Sequence, residues 1–185
     1  MPYIEIVEPE DANDELKGIY RSLTSSRGKI AEVHKIQSLN PPTIPAHMEL
    51  YTRIMFSRSP LSRAERELLG VIVSRTNGCV YCVQHHLEAL AHFTGQDRAR
   101  ELARDGVATS GLSSREALLC GYAEELTTKP QDFGDSWSKR MRQQGLSDRE
   151  ILDATLVVGY FNFVNRLVIG LGVELEDDPG GYSYD

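Results

Sequence analysis

The motif Leu-Ser-x-x-Glu occurs three times, at Leu61/Ser62/Glu65, Leu112/Ser113/Glu116 and Leu146/Ser147/Glu150. Each is a capping box: the serine hydroxyl accepts from the backbone N–H three residues on, and the glutamate reaches back to the serine N–H. Three helix starts are therefore marked before any other feature is considered. After Ser62 the apolar residues Leu68, Leu69, Val71 and Ile72 recur at helical spacing, until Thr76-Asn77-Gly78 supplies stop chemistry. After Ser147 the series Ile151, Leu152, Leu156, Val157, Tyr160, Phe161, Val164 and Leu167 continues helically to about Gly170.

Periodicity and breaker residues place further helices at about Asn13 to Ser25, Ala31 to Leu39, Pro42 to Met55, Gly78 to Thr94, Asp97 to Asp105, Ser114 to Thr127 and Gly134 to Gln144. Val71-Ile72-Val73 and Leu156-Val157-Val158 are runs that propensity alone would make strands. Each lies inside a longer capped helical pattern, so both read as helix. The expectation is one all-α domain over residues 1–185, with about eight helices. Met1 to Asp11 and Asp177 to Asp185, the latter with Pro179-Gly180-Gly181, read as extended or mobile arms. The segments LSRAERELLGVIVSR and LSDREILDATLVVGYF share cap, charge pattern and apolar register at an offset of 85 residues. An internal helical repeat leaves such a pattern, as do two unrelated amphipathic helices.

Length and composition narrow the function classes. A chain of 185 residues buries roughly 70% of its unfolded surface in one sizeable core. Its 41% hydrophobic and 25% charged content is that of an ordinary globule, and no apolar run approaches the roughly 20 residues a bilayer span needs. The acidic start MPYIEIVEPEDANDE lacks a signal peptide's basic and apolar regions, so the cytoplasm is the expected location. A net charge of −7 with scattered basic residues argues against binding to nucleic acid or an anionic membrane. Three cysteines are too few for a structural disulfide framework, and in a reducing compartment a C-x-x-C points to catalysis or metal binding.

That C-x-x-C is the chemical centre. Glu67 stands twelve residues before Cys79, Cys82 closes the motif, and His86 follows four residues later. At 100° per residue Cys79, Cys82, His86, Leu90 and Phe93 fall within an arc of about 80°, one core-directed face, while His85 and His92 lie to one side. Asn77-Gly78 places the motif in a first helical turn, where unpaired N–H groups and the helix dipole favour a thiolate. The second sulfur at this spacing can resolve an oxidised first one as a disulfide. Glu67 sits about three turns and a corner away, and in a helical hairpin it would accept protons through the imidazole. A zinc site using Cys79, Cys82 and His86 with His85 or Glu67 is the competing reading, although the chain offers no second ligand pair.

Glu-x11-Cys-x-x-Cys-x3-His resembles the signature of the AhpD alkylhydroperoxidase and carboxymuconolactone decarboxylase superfamily, matched by Glu67, Cys79, Cys82 and His86. LSRAERELLGVIVSRTNGCVYC and YFNFVNRLVIGLGVELE are similar to its branch of uncharacterised peroxidase-related enzymes, and the likeness runs from about Gln37 to Glu176. The resemblance implies an all-helical, AhpD-like fold, a homo-oligomer (dimer, trimer or hexamer), and no metal or organic cofactor. It implies reduction of hydrogen peroxide or an organic hydroperoxide, with recycling by an external thiol electron donor. Carried over, Cys82 is the attacking thiol, Cys79 its partner in a redox-active disulfide, and His86 and Glu67 relay protons. One departure stands out. Tyr81 replaces the histidine that AhpD proteins carry before the second cysteine, so that residue's contribution is lost and lipoyl-linked reductants are not implied. The decarboxylase branch lacks the cysteine pair, which disfavours its reaction. Thiol–disulfide exchange without peroxidase activity, and a non-catalytic metal-binding or scaffold role, are the alternatives.

Cys120 reads as a small buried hydrophobe. His47 and Tyr51 share a helix face one turn apart, at the site entrance or in plain packing. Asn162 and Asn165 interrupt an apolar helix and need partners, on the active-site helix or on a neighbouring subunit. His34, His85 and His92 read as surface or rim residues.

Overall fold

The computed structural model describes residues 1–104 and 111–177. Among them the chain forms α1 (Asp14–Arg27), α2 (Glu32–Lys35), α3 (Thr43–Met55), α4 (Arg63–Thr76), α5 (Val80–Thr94), α6 (Gln96–Arg104), α7 (Ser114–Thr128), α8 (Ser136–Gln143) and α9 (Asp148–Leu171), with a 3-10 turn at Pro130–Asp132 and no strand. The all-α expectation holds, with nine helices where about eight were expected. Both β-branched runs are helical, because each capped helix extends through them. Residue 105, the expected end of α6, and residues 178–185 of the C-terminal arm lie outside the described residues.

The three motifs start α4, α7 and α9, with both bonds of the capping box formed in each. They also meet. Arg115, in the first turn of α7, donates from Nε to Glu65 Oε1 at 2.5 Å and from Nη2 to Glu150 Oε1 at 2.7 Å. The capping glutamates of α4 and α9 are thereby joined through α7.

Helix α4 runs through the middle, buried continuously from Arg66 to Ser74 and packed on α5, α7 and α9. Gly70 faces α9 without room for a side chain: an added Cβ would lie 2.6 Å from Phe161 Cζ. Phe161 is fully buried and its ring stands edge-on to His86 at 4.4 Å. Gly70→Ala is therefore expected to cost about 1–3 kcal/mol by overpacking, read as a lower urea midpoint at unchanged m-value.

Helix α9 alters one expectation. Its mean hydropathy of 1.4 makes it, among the described residues, the one helix long and apolar enough to cross a membrane. Here it packs against α3, α4, α5, α7 and α8, with Val157, Phe161 and Asn165 fully buried and Asp153 nearly so. A smaller cluster of Ala12, Leu16, Tyr20, Leu23 and Ile44 joins α1 to α3. The N-terminal arm is extended but tied down: Tyr3 N–H donates to Leu171 O, Val7 N–H to Ser38 Oγ, and the Met1 amine pairs with Glu174.

Candidate active site

The corner between α4 and α5 presents the cysteines. Gly78, at φ +72°, takes the left-handed conformation that glycine adopts without steric cost, and Cys79 N–H then closes on Ser74 O at 2.8 Å. Cys79 becomes the N-cap of α5, and its Sγ accepts the Cys82 N–H at 3.4 Å. The asparagines of α9 hold this corner. Asn77 Nδ2 donates to Asn162 Oδ1 at 3.1 Å and Asn165 Oδ1 at 2.9 Å, and the fully buried Asn165 donates to Ser74 Oγ at 3.1 Å. The two amides thus find partners at the corner before Cys79, within their own chain.

Cys79 and Cys82 are joined as a disulfide, with Cα atoms 5.4 Å apart. Both are sealed from solvent, at 1% and 3% exposure. A cavity of about 70 Å³ opens beside them. Cys82 and His86 line it together with Arg27, His47, Tyr51 and Tyr160, whereas Cys79 does not line it. A much larger groove of about 730 Å³ lies between α1 and α3, and contains none of the cysteine or histidine side chains.

Glu67, fully buried, accepts from His86 Nδ1 at 2.7 Å on Oε2. The α4–α5 hairpin thus folds the carboxylate back onto the imidazole. A carboxylate oxygen only accepts, so Nδ1 carries the hydrogen and, in the neutral ring, Nε2 is the free acceptor. The other oxygen, Oε1, accepts from Arg63 Nε at 2.8 Å and Nη2 at 2.6 Å. Burial pushes the Glu67 carboxyl up, but the charges and hydrogen bonds of His86 and Arg63 outweigh it and hold the group below its usual range. Arg63 in turn lies 3.7 Å over the Phe56 ring. The sequence does carry a trace of Arg63, since Arg-x3-Glu is an i,i+4 pair on one helix.

Several expectations change. Phe93 falls on the core-directed arc of an ideal helix, yet it is 38% exposed, one residue before the end of α5. His34 is buried rather than peripheral, its pKa lowered to about 3 chiefly by that burial. His85 is largely covered too: its ring lies 4.3 Å from that of Tyr81, tilted by 40°, and its Nε2 meets Glu176 Oε2 at 2.8 Å. His92 is exposed, as expected. Cys120 is a sealed hydrophobe whose thiol burial pushes up to about 12. The zinc reading finds no support in placement, since among the described residues no three His, Cys, Asp or Glu side chains gather to hold a metal ion.

Tyr81 has a partner of its own. Its Oη donates to Glu176 Oε1 at 2.9 Å, and the same oxygen accepts the Glu32 N–H at 2.9 Å. Glu176 therefore latches α5 to α2 beside the cavity. Burial raises its carboxyl, but the His85 and backbone hydrogen bonds prevail and hold it at about 2, against an ordinary 4.5. Because the folded pKa is depressed, the latch contributes fully above pH 4.5 and is lost as pH falls toward about 2. The Glu32 amide is expected to lose hydrogen-exchange protection across that window, and in Glu176→Gln to be less protected at every pH.

Residues 42–125 match the model of the carboxymuconolactone decarboxylase family, a span containing Glu67, Cys79, Cys82 and His86. Over that span the chain is similar to the carboxymuconolactone decarboxylase family, and its fold is that of AhpD-like structures. Among relatives of this AhpD-like chain, the uncharacterized protein YdfG of Bacillus subtilis is 25% identical over 126 residues, 68% of this chain and 82% of YdfG. An uncharacterized peroxidase-related protein from Silicibacter sp. TM1040 has the same fold, with a TM-score of 0.84 at 24% identity, covering 95% of this chain and 92% of the other. An AhpD-core peroxidase-related protein from Ralstonia eutropha JMP134 also reaches 0.84, at 18% identity and 96% and 94% coverage. The debrominase Bmp8 superposes with a TM-score of 0.77 at 15% identity, covering 94% of this chain and 92% of its own.

Proposed function

We propose that this AhpD-like protein is a thiol peroxidase that reduces hydrogen peroxide or a small organic hydroperoxide through Cys82 and Cys79. The observation that carries the reading is that Cys82 lines one small cavity with His86, whose Nδ1 is pinned by Glu67. In the reduced protein His86 Nε2 takes the Cys82 thiol proton. The thiolate attacks a peroxide oxygen: an S–O bond forms, the O–O bond breaks, sulfur gives up two electrons, and the departing oxygen leaves with the proton from His86. Cys79 sulfur then displaces hydroxide from Cys82, with a proton, as water, and the S–S bond forms. Two thiols of an external donor return the pair to its reduced state, in the cytoplasm on this reading.

Glu67 acts here as an orienting group. Paired with Arg63 and held as a carboxylate, it fixes the imidazole's tautomer and balances its charge rather than keeping the proton. Cys79 suits the resolving role, because the Cys82 N–H and the start of α5 favour its thiolate.

The test is thiol loss from the reduced protein on mixing with hydrogen peroxide or cumene hydroperoxide at neutral pH, beside a simple dithiol. A rate orders of magnitude above the dithiol supports the peroxidase; a rate equal to it removes the label. A second reading is displacement on another small electrophile. It is favoured by the shared fold with a debrominase, a variant of which is known in complex with 2,3,4-tribromopyrrole. Bromide release from that pyrrole by the reduced protein would decide for it.

A further inference from the structure

We propose that Tyr160 donates the hydrogen bond that stabilises the departing oxygen of the peroxide, an inference that rests on the peroxidase reading above. Gln37 fixes the direction of the bonds that reach Tyr160. Its Nε2 lies 2.7 Å from Val33 O and 2.9 Å from His47 Nδ1. A backbone carbonyl can only accept, which fixes the amide's orientation, and an amide nitrogen can only donate. His47 Nδ1 is therefore an acceptor. Burial lowers the His47 pKa to about 4, so at neutral pH the ring has a single N–H, on Nε2. That N–H faces Tyr160 Oη at 2.8 Å.

The phenol oxygen is thus occupied as an acceptor and its own hydrogen is left over. Among the described residues the hydroxyl makes no hydrogen bond besides the one to His47. Tyr160 is 7% exposed, and it lines the cavity that also holds Cys82 and His86. Burial raises its pKa well above 10, so it stays a phenol through the reaction. It is a donor on the cavity wall, its oxygen already held by His47 before substrate arrives, which is how charge on a leaving oxygen is stabilised without reorganisation.

As sulfur bonds to one peroxide oxygen, the other takes the electron pair of the O–O bond and receives its proton from His86. Tyr160 keeps its proton and shares it only as a hydrogen bond. The contribution is therefore greatest for substrates whose leaving group is a poor one, hydroxide or an alkoxide, and small for peracids, which expel a carboxylate.

The experiment measures three second-order rate constants on full-length reduced wild type and Tyr160→Phe: with hydrogen peroxide, with peracetic acid, and with iodoacetamide, the last followed as alkylation of Cys82. Losing one preorganised donor is expected to slow hydrogen peroxide roughly 100-fold. Peracetic acid and iodoacetamide should stay within a factor of about 3, since neither leaving group needs the donor. A Tyr160→3-fluorotyrosine chain, a stronger donor of nearly the same shape, should react faster with hydrogen peroxide. Equal slowing with all three reagents would show a structural role and overturn the proposal, as would an unchanged hydrogen peroxide rate. Those outcomes leave the peroxidase reading standing. A wild type no faster than a simple dithiol removes both.

Discussion

Cys82→Ser is expected to abolish hydroperoxide turnover, by more than about 1000-fold, while leaving the fold in place. Serine's hydroxyl is not ionised at neutral pH and does not attack peroxide, and no other cysteine is placed to take over: Cys79 is buried and does not line the cavity, and Cys120 is sealed in the core. Compared with reduced wild type, stability should fall by no more than about 2 kcal/mol, the cost of placing one hydroxyl where the buried thiol was. Cys79→Ser should behave differently. Cys82 still attacks once, but the sulfenic acid finds no partner, and mass spectrometry should show a gain of about one oxygen atom and no disulfide. Undiminished turnover in Cys82→Ser would mean that the chemistry lies elsewhere.

Arg63→Ala should produce the largest loss of stability, about 3–5 kcal/mol at neutral pH. Glu67 is fully enclosed and Arg63 supplies two of its three hydrogen bonds, so removing the guanidinium leaves a buried carboxylate facing only His86. The protein can escape the cost by binding a proton at Glu67. In wild type the depressed carboxyl pKa stabilises the fold above about pH 4.5, with loss as pH falls below it. In Arg63→Ala that dependence should weaken or reverse, so urea unfolding at pH 7 and pH 4.5 should show the gap between the two proteins closing toward acid. Arg63→Met with Glu67→Leu should recover most of the stability, because an apolar pair of similar volume needs no desolvation. Activity should stay lost, since His86 Nδ1 would no longer be held. Full activity in the double variant would rule out an orienting role for Glu67.

Local chemistry was the legible part of this chain. The capping boxes act over three residues and Gly78 over one, so the starts of α4, α7 and α9 and the corner before Cys79 could be read directly. The pairing of Glu67 with His86 needed only that adjacent helices fold against each other. What could not be read is brought in from afar: Arg27 and Gln37 precede the cysteines by more than forty residues, while Tyr160 and Glu176 follow them by about eighty or more. No periodicity links these positions. An ideal helical wheel put Phe93 inside because it knows angle but not where the core ends. Tyr81 reads as the loss of a histidine, and its gain, the bond to Glu176, spans 95 positions.

The enclosure of the disulfide bears on the other half of the cycle. Exchange requires an incoming sulfur to line up behind the S–S bond, and neither sulfur presents more than a trace of surface. A folded partner such as a dithiol protein would have to wait for the wall of tyrosines and histidines to part, whereas a slender thiol could slip in. Selectivity among cellular reductants would then be a matter of girth rather than of reduction potential, and the rate of regeneration would report how often the bundle breathes.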